Sequence, residues 1–535
     1  MTKQLLIIFM LLVVLSACAP ATPLPATAPP SSPTPKLDTV KSRDWWRDAV
    51  FYEIFVRSFY DTDGDGIGDF NGVTQKLDYL QDLGINAIWL MPIHPSPSYH
   101  GYDVLNDYNV NPEYGTMADF KHLLDEVHQR DMHLIIDLVI NHTSSGHPFF
   151  VAANSGPKSP YRDWYVWSDT DLGNGWHQGS SGYYFGLFCD CMPDLNYRNP
   201  EVTKFIEGVV NFWLDEIGVD GFRVDAAKHL IEEDNQRENT PATHEWYHDF
   251  YRSYKAKFPY AYTVGEVFGA GSSVVKSYTG DQLDQVFNFE MSTGIVNGAN
   301  AGASSGINSA VRFALADIPD FDFATFLTNH DQNRVMSVMN GDVDKAKVAA
   351  SLLLTLPGTP FLYYGEEIGM QGRKPDEDIR APMQWSGEEN AGFSGGRPWR
   401  SPEASYPQVN VESQRNDPNS LLSHYRVLIH LRQSHPALSG EAVQLVNSGH
   451  SGVYAALRYN ENEVLLVLVN LTGELIDNYV LNLDDGILKN GIYNVNLLLG
   501  KGEIAQLRVD DRKFSDYVPL KELPSHSTFV MQLAP

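Results

Sequence analysis

Gly221-Phe222-Arg223-Val224-Asp225 is too short for a helix, and it carries a carboxylate where an apolar run stops. It reads as a buried β-strand whose two-residue repeat puts Arg223 and Asp225 on one face, so the strand delivers a charged pair to its C-terminal end. Further runs of the same kind lie at residues 50–56, 87–91, 134–140, 262–267, 285–289, 323–327 and 360–364. Between them come amphipathic stretches at 77–83, 120–127, 205–217, 248–257 and 345–356, with another at 421–432 after the last. This alternation predicts an α/β fold with a parallel sheet, and eight such units predict a closed (β/α)8 TIM barrel whose chemistry collects where strands end. An open doubly wound sheet obeys the same alternation, and periodicity does not separate the two.

Residues 41–140 and 200–436 supply the barrel. The segment 141–199 between them is rich in Gly, Ser, Tyr and Trp and, at about sixty residues, too long for a bare loop, so it predicts an inserted domain after the third strand. Residues 437–535 carry strand-like runs at 464–468, 493–498 and 529–532 without helical partners, as expected of a C-terminal antiparallel β-sandwich. At the other end, Lys3, the apolar stretch 5–15 and Leu15-Ser16-Ala17-Cys18 predict a signal peptide over 1–17. The tetrad resembles a bacterial lipoprotein cleavage site, which implies a lipidated Cys18 and an extracytoplasmic, membrane-anchored protein. Residues 18–40, nearly all Pro, Ala, Thr and Ser beyond Pro20, read as an extended tether.

The formal net charge of −28 repels phosphate backbones and excludes nucleic acid as a main partner; a monomer is expected. Three cysteines are too few for a disulfide framework. Cys189 and Cys191 are spaced too closely along an extended chain for an easy bridge, which leaves free thiols, a strained bridge or a soft-metal site open. His122 and His128, on a predicted helix, are expected at the surface.

Three carboxylates follow predicted strands: Asp225, Glu266 in Thr263-Val264-Gly265-Glu266, and Asp331 after Phe326-Leu327-Thr328-Asn329-His330. Any one of them reads equally well as a helix N-cap. Three at one barrel mouth, accompanied by Arg223, His142 and His330, suit glycoside hydrolysis, where one carboxylate attacks the anomeric carbon and a protonated neighbour serves the leaving oxygen. The motifs Asp137-Leu138-Val139-Ile140-Asn141-His142, residues 221–229, Gly265-Glu266-Val267 and residues 326–331 resemble, in order and spacing, the third-, fourth-, fifth- and seventh-strand motifs of the α-amylase family of retaining glycoside hydrolases. The resemblance runs from Asp44 to Pro535. It implies that Asp225 is the nucleophile, Glu266 the general acid/base, and Asp331 the carboxylate that binds the distorted sugar. It further implies that Tyr102 stacks under the reacting ring, that His142 and His330 donate to sugar hydroxyls, and that Lys228 and His229 contact the leaving-group side. Arg223 is expected to keep Asp225 ionised, while Glu266 must be held protonated by its surroundings, with the two carboxyls about 5 to 5.5 Å apart.

Asp61-Thr62-Asp63-Gly64-Asp65-Gly66-Ile67-Gly68-Asp69 sets carboxylates at alternate positions with a glycine sixth, a loop able to wrap Asp61, Asp63, Asp65, Asp69 and the Ile67 carbonyl around Ca²⁺. Gly72 stands where an EF-hand needs its glutamate, and the loop resembles the calcium loop of relatives of oligo-1,6-glucosidase. The family resemblance implies a second calcium at Asn141, Asp194 and the His229 carbonyl, and no organic cofactor. Signals for the substrate conflict. Lys228-His229 resemble α-amylases, Met192-Pro193-Asp194-Leu195-Asn196 resemble members intermediate between oligo-1,6-glucosidases and neopullulanases, and Arg380-Ala381-Pro382-Met383-Gln384-Trp385 with Ala391-Gly392-Phe393 resemble the exo-acting branch. The compartment favours endo-type hydrolysis of α-1,4-glucosidic bonds in starch, glycogen and maltooligosaccharides. An α-glucosidase or neopullulanase-like enzyme, a glucanotransferase and a non-catalytic carbohydrate-binding barrel are the alternatives.

Overall fold

The computed structural model describes residues 44–535 apart from Asp234, Pro319 and Glu441. Cys18, the signal peptide and the tether lie outside the described residues. Eight strands, β1 (Phe51–Ile54), β2 (Ala87–Leu90), β3 (His133–Leu138), β4 (Gly221–Val224), β5 (Tyr262–Gly265), β6 (Gln285–Phe287), β7 (Phe323–Phe326) and β8 (Thr359–Tyr363), form a closed barrel in sequence order. β1 is parallel to both β2 and β8, with Tyr52 opposite Ile88 on one side and Leu362 on the other, so the sheet has no edge and the doubly wound alternative falls.

The two-residue repeat decides what fills the barrel. Phe51, Ala87, Trp89, Ile135, Tyr262, Val264, Phe287, Ala324, Phe326 and Phe361 form one interior cluster, with Phe51 stacked on Phe361 at 4.2 Å. Their neighbours Tyr52, Ile88, Ile136 and Leu362 belong instead to the outer core beneath the helices. Trp45 and Trp46, from the turn before β1, join the interior cluster; Trp45 stacks on His133 and Trp46 on Tyr262. Aromatic rings thus plug the N-terminal end. Two residues beyond Phe51, Ile135 and Val264, the same repeat puts Glu53, Asp137 and Glu266 inside the opposite, C-terminal mouth.

Residues 141–199 hold a helix (Pro148–Asn154) and a three-stranded antiparallel sheet (Trp167–Ser168, Trp176–Gly179, Gly182–Phe185). Cys189 and Cys191 are joined in a disulfide. The chain turns there, with Met192 N donating to the Cys189 carbonyl, and brings the two Cα atoms to 5.2 Å; the thiol and soft-metal readings, which assumed an extended chain, fall. His128 also departs from expectation: it is only partly exposed and its Nε2 lies 2.8 Å from the buried Asp220 carboxylate, whereas His122 is exposed.

The C-terminal region is a six-stranded antiparallel sheet, in the order Ala442–Leu445, Val453–Tyr459, Val464–Asn470, Thr528–Ala534, Gly491–Leu499 and Leu507–Val509. A two-stranded ribbon, Leu481–Leu483 with Phe514–Tyr517, shares its core. Arg458 from this sheet is buried and donates to the carbonyls of Thr355, Gly440 and Ala442. Thr355 ends the barrel helix Val343–Thr355, so a cation sits where the helix leaves carbonyls unpaired. Arg458→Ala strands three carbonyls and is expected to cost about 2 to 4 kcal/mol in urea unfolding, with Arg458→Lys recovering part of the loss. An alanine variant as stable as the parent would show that the carbonyls are satisfied without this side chain.

Candidate active site

Arg223 is 1% exposed and its guanidinium is the hub of the barrel mouth. Nη1 donates to Asp225 Oδ1 at 2.6 Å and to Asp137 Oδ1 at 2.9 Å, and Nη2 donates to Glu266 Oε2 at 3.1 Å. Three carboxylates, one in β3 and one just after each of β4 and β5, therefore share one cation, and Asp225 and Glu266 hang on the two arms of a single fork. Ala226 takes a left-handed backbone conformation (φ 46°) that a side chain other than glycine adopts at a cost of about 1 to 2 kcal/mol, and its N–H donates to Glu266 Oε2 at 3.0 Å. Asp225 Oδ2 and Glu266 Oε1 stay outside this web.

A second network runs outward from it. His330 Nδ1 lies 2.6 Å from Glu53 Oε1, and its Nε2 lies 2.7 Å from the Tyr102 hydroxyl and 3.2 Å from Asp331 Oδ2. Arg380 closes the far side, with Nη2 donating to Asp331 Oδ1 at 2.8 Å and Nε to the His330 carbonyl at 2.9 Å. The Tyr102 ring lies nearly parallel to the rings of His100 and His330, at 6.1 and 5.6 Å, and its hydroxyl donates to Asp137 Oδ2 at 3.2 Å.

Burial and charge sort the protons. Burial raises Glu266; Arg223 opposes it, and the charges of Asp225 and Asp331 add to the rise. Asp225 is also raised by burial: Arg223 favours its ionised form, as expected, but does not offset the burial. Asp137 is pushed by burial to about 7, again against Arg223. Burial acts on Asp331 in the same direction, but His330 and Arg380 outweigh it and hold its carboxyl well below the usual range. Burial would lower His330; Asp331 and Glu53 reverse this and raise it to about 9, so it is a cation at neutral pH.

Asp225, Glu266, Asp331, Tyr102, His142, Lys228 and His229 all line one cleft of about 420 Å³. His142 and His330 differ from their expected part. The His142 Nε2–H is turned to the Tyr102 carbonyl at 3.2 Å, and burial lowers its pKa to about 4, so it fixes Tyr102 as a neutral ring. Both His330 nitrogens are taken up by Glu53, Tyr102 and Asp331. Lys228 Nζ donates to the Phe268 carbonyl at 3.1 Å and pairs with Glu238, and His229 Nδ1 donates to the Arg237 carbonyl. Sequence reasoning missed Glu53, Asp137 and Arg380 as site residues. Glu53 and Asp137 carried a signal, as lone carboxylates inside otherwise apolar strands.

Two oxygen-rich places stand apart from the cleft. Carboxylate oxygens of Asp61, Asp63 and Asp65 gather within 4.8 Å of one another. Burial and the charges of Asp63, Asp61 and Asp69 raise Asp65. Asp69 belongs less fully than expected: its carboxylate caps the helix Phe70–Gln75 through Gly72 N and accepts from Thr62 N. At the second place, Asn141 Oδ1, Asp194 Oδ2 and Glu232 Oε1 are buried without a hydrogen-bond partner. Burial raises Asp194 well above the usual range, and the charge of nearby Glu232, which sequence reasoning missed, adds to it. Both sets offer only oxygen, the donor chemistry of a hard cation.

The alpha-amylase catalytic-domain family profile matches residues 53–441. Alpha-amylase 3 of Dictyoglomus thermophilum is 42% identical over 436 residues, covering 80% of this chain and 85% of that protein. An oligo-1,6-glucosidase of Parageobacillus thermoglucosidasius is 33% identical over 519 residues, covering 80% and 91%. The crystal structure of the alpha-amylase from H. orenii superposes with a TM-score of 0.80 at 38% identity, covering 91% of this chain and 99% of that one. With three strand-end carboxylates gathered around a buried arginine at the mouth of a closed barrel, and with matches of this extent, the chain belongs to the α-amylase family and is a glycoside hydrolase.

Proposed function

We propose that the protein hydrolyses internal α-1,4-glucosidic bonds of starch, glycogen and maltooligosaccharides with retention of configuration. The observation that carries this reading is the shared Arg223 fork, which holds Asp225 and Glu266 on the two arms of one guanidinium beside a common cleft, as two carboxyls that act on one sugar ring must be held. Asp225 Oδ1 is tied to Arg223, which leaves Oδ2 to attack the anomeric carbon. Glu266 Oε2 is tied to Arg223 and Ala226 N, which leaves Oε1 to carry the proton. As the Oδ2–carbon bond forms, the glycosidic bond breaks and the Oε1 proton passes to the leaving oxygen. Glu266 then takes a proton from water, whose oxygen displaces Asp225. Asp331, held ionised by His330 and Arg380, accepts from hydroxyls of the distorted ring.

Action on internal bonds is supported by a cleft with walls on both sides of the pair: Asp376, Arg380 and His100 beside Asp331, and Lys228, His229 and Phe268 beside Glu266. The relatives include an alpha-amylase and an oligo-1,6-glucosidase, and the bond cleaved distinguishes the two activities. Lipidation at Cys18 would hold this activity at a membrane surface beside extracellular polymer, with the enzyme acting as a monomer. The full chain is expected to release a ladder of maltooligosaccharides from soluble starch, to leave isomaltose largely intact, and to sediment with membranes unless Cys18 is replaced by Ala. Glucose as the sole early product, or faster cleavage of isomaltose, would favour the exo-acting glucosidase instead.

The pH profile follows from the two raised carboxyls. The working form has Asp225 ionised and Glu266 protonated, so activity falls as pH drops through the pKa of Asp225 and falls again as pH rises through that of Glu266. The bell is expected above the range of ordinary carboxylates. Glu266→Gln is expected to lose about 10²- to 10⁴-fold in kcat/KM on unactivated glucans and to lose the alkaline limb; a variant that keeps that limb would assign it to another group.

Calcium fits both oxygen sets. Asp61, Asp63 and Asp65 would hold one ion, and Asn141, Asp194, Glu232 and the His229 carbonyl another, each ion neutralising crowded carboxylates and fixing a loop. Calcium at a hundredfold over its dissociation constant is expected to stabilise the fold by about 2.7 kcal/mol. In calorimetric titration Asp63→Asn with Asp65→Asn is expected to remove one equivalent, and Glu232→Gln to weaken the other. Equal melting temperatures in calcium and in chelator, with no binding heat, would dismiss both sites.

A further inference from the structure

Glu53 is a carboxylate in the first barrel strand, 2% exposed, with the core residues Phe51, Tyr52 and Ile54 as its strand neighbours. An ionised carboxylate so placed is costly unless a cation offsets it. Among the described residues its one ion-pair partner is His330, whose Nδ1 lies 2.6 Å from Glu53 Oε1. His330 is itself fully buried, with the Trp89 ring edge-on and the Tyr102 ring nearly parallel to it.

Placement separates this pair from substrate. Asp331 lines the cleft with Asp225 and Glu266, whereas neither Glu53 nor His330 belongs to its lining. Glu53 therefore touches no sugar and reaches the reaction only through His330.

The chemistry of the ring says what that contact does. A neutral imidazole has one donor nitrogen and one acceptor nitrogen. Here carboxylate oxygens face both, Glu53 Oε1 at Nδ1 and Asp331 Oδ2 at Nε2, so a neutral ring would aim a lone pair at an anion. The doubly protonated ring gives each carboxylate a hydrogen. Asp137 and Asp225 act on the same ring from the Arg223 cluster, the Tyr102 hydroxyl lies 2.7 Å from Nε2, and Arg380 bonds the His330 carbonyl rather than the ring. Asp331 and Glu53 together hold the ring's pKa at about 9 against its burial.

Asp331 is thereby gripped from two sides, by His330 at Oδ2 and by Arg380 at Oδ1. We infer that Glu53 is a positioning residue for hydrolysis: by keeping His330 charged and donating from both nitrogens, it fixes the orientation and ionisation of the Asp331 carboxylate offered to the sugar. The inference rests on the retaining mechanism above and extends it to a residue behind the cleft wall. Positive charge grows on the sugar ring as the glycosidic bond breaks, so a carboxylate held in place contributes more in the transition state than in the ground state.

Glu53→Gln isolates the charge. Its amide can give a hydrogen to Nδ1, which leaves Nε2–H on Asp331 and removes only the positive charge of the ring. In the full-length enzyme this variant is expected to lose about ten- to a hundredfold in kcat on maltoheptaose, with KM changed by no more than about twofold. Ring-nitrogen spectra of protein labelled with 15N-histidine read the charge directly, with His330 assigned as the signal missing from His330→Asn. At pH 8 the ring is expected to be doubly protonated in the parent, since its pKa is about 9, and neutral in Glu53→Gln. Glu53→Asp, which keeps the carboxylate, is expected to restore the cation and part of the rate, which relief of a packing defect would not do. A neutral His330 in the parent at pH 8 overturns the inference even if no Glu53 variant folds. An unchanged kcat in Glu53→Gln, or a loss confined to KM, overturns it as well. Isomaltose is run beside maltoheptaose: a parent that prefers isomaltose overturns the endo reading alone, and one that cleaves neither overturns both.

Discussion

One guanidinium in a dry barrel carries the rest of the site. Arg223 lies above a plug of aromatic rings and receives Asp137, Asp225 and Glu266, so a single positive charge faces three acids where water is scarce. Burying an ionised carboxylate is costly unless a partner offsets it, and one arginine cannot offset three. Their proton affinity rises as a result. That imbalance pushes the carboxyls above their ordinary range and keeps an acid ready beside a nucleophile at a pH where both would otherwise be ionised.

The same reasoning explains why Asp331 behaves differently at the same mouth. It has two cations, His330 and Arg380, and its side chain is about a third exposed, so it remains charged while burial raises the pKa of its neighbours. His330 is itself kept cationic by Asp331 and by Glu53, a carboxylate from the first strand. The site is therefore two linked charge clusters of opposite balance, one short of positive charge and one well supplied. Tyr102 joins them, bonding to Asp137 in the first and His330 in the second.

Appended segments act on this centre from outside the barrel. The inserted segment brings Phe188 and Met192 to the cleft wall and anchors their loop through Asp194, where unpaired oxygens also gather. The C-terminal sheet reaches the barrel through Arg458, which caps a helix far from the cleft. The first contribution bears on what is bound, the second on whether the barrel stays folded.

Much of this was legible in the chain because it is local. Apolar runs of strand length, repeated with helical spacers, specify β1 to β8, and a period of two suffices to put Arg223 and Asp225 on one face. Asp225, Glu266 and Asp331 are visible as carboxylates at strand ends. What the chain could not disclose depends on contacts between distant residues: Glu53 finds His330 across 277 positions, and Arg380 finds Asp331 across 49. The Cys189–Cys191 pair shows the limit at short range, since a turn rather than the spacing decided the bridge. Asp69 shows it again, as a carboxylate that a metal or a helix end could use and that the fold gave to the helix. Periodicity and local chemistry therefore determined the eight strand–helix units and the reacting acids at their ends, and the pairing of the first strand with the last closed them into a barrel. Tertiary packing alone decided their protonation and their positioning, because both follow from burial and from charges brought close only when the barrel closes.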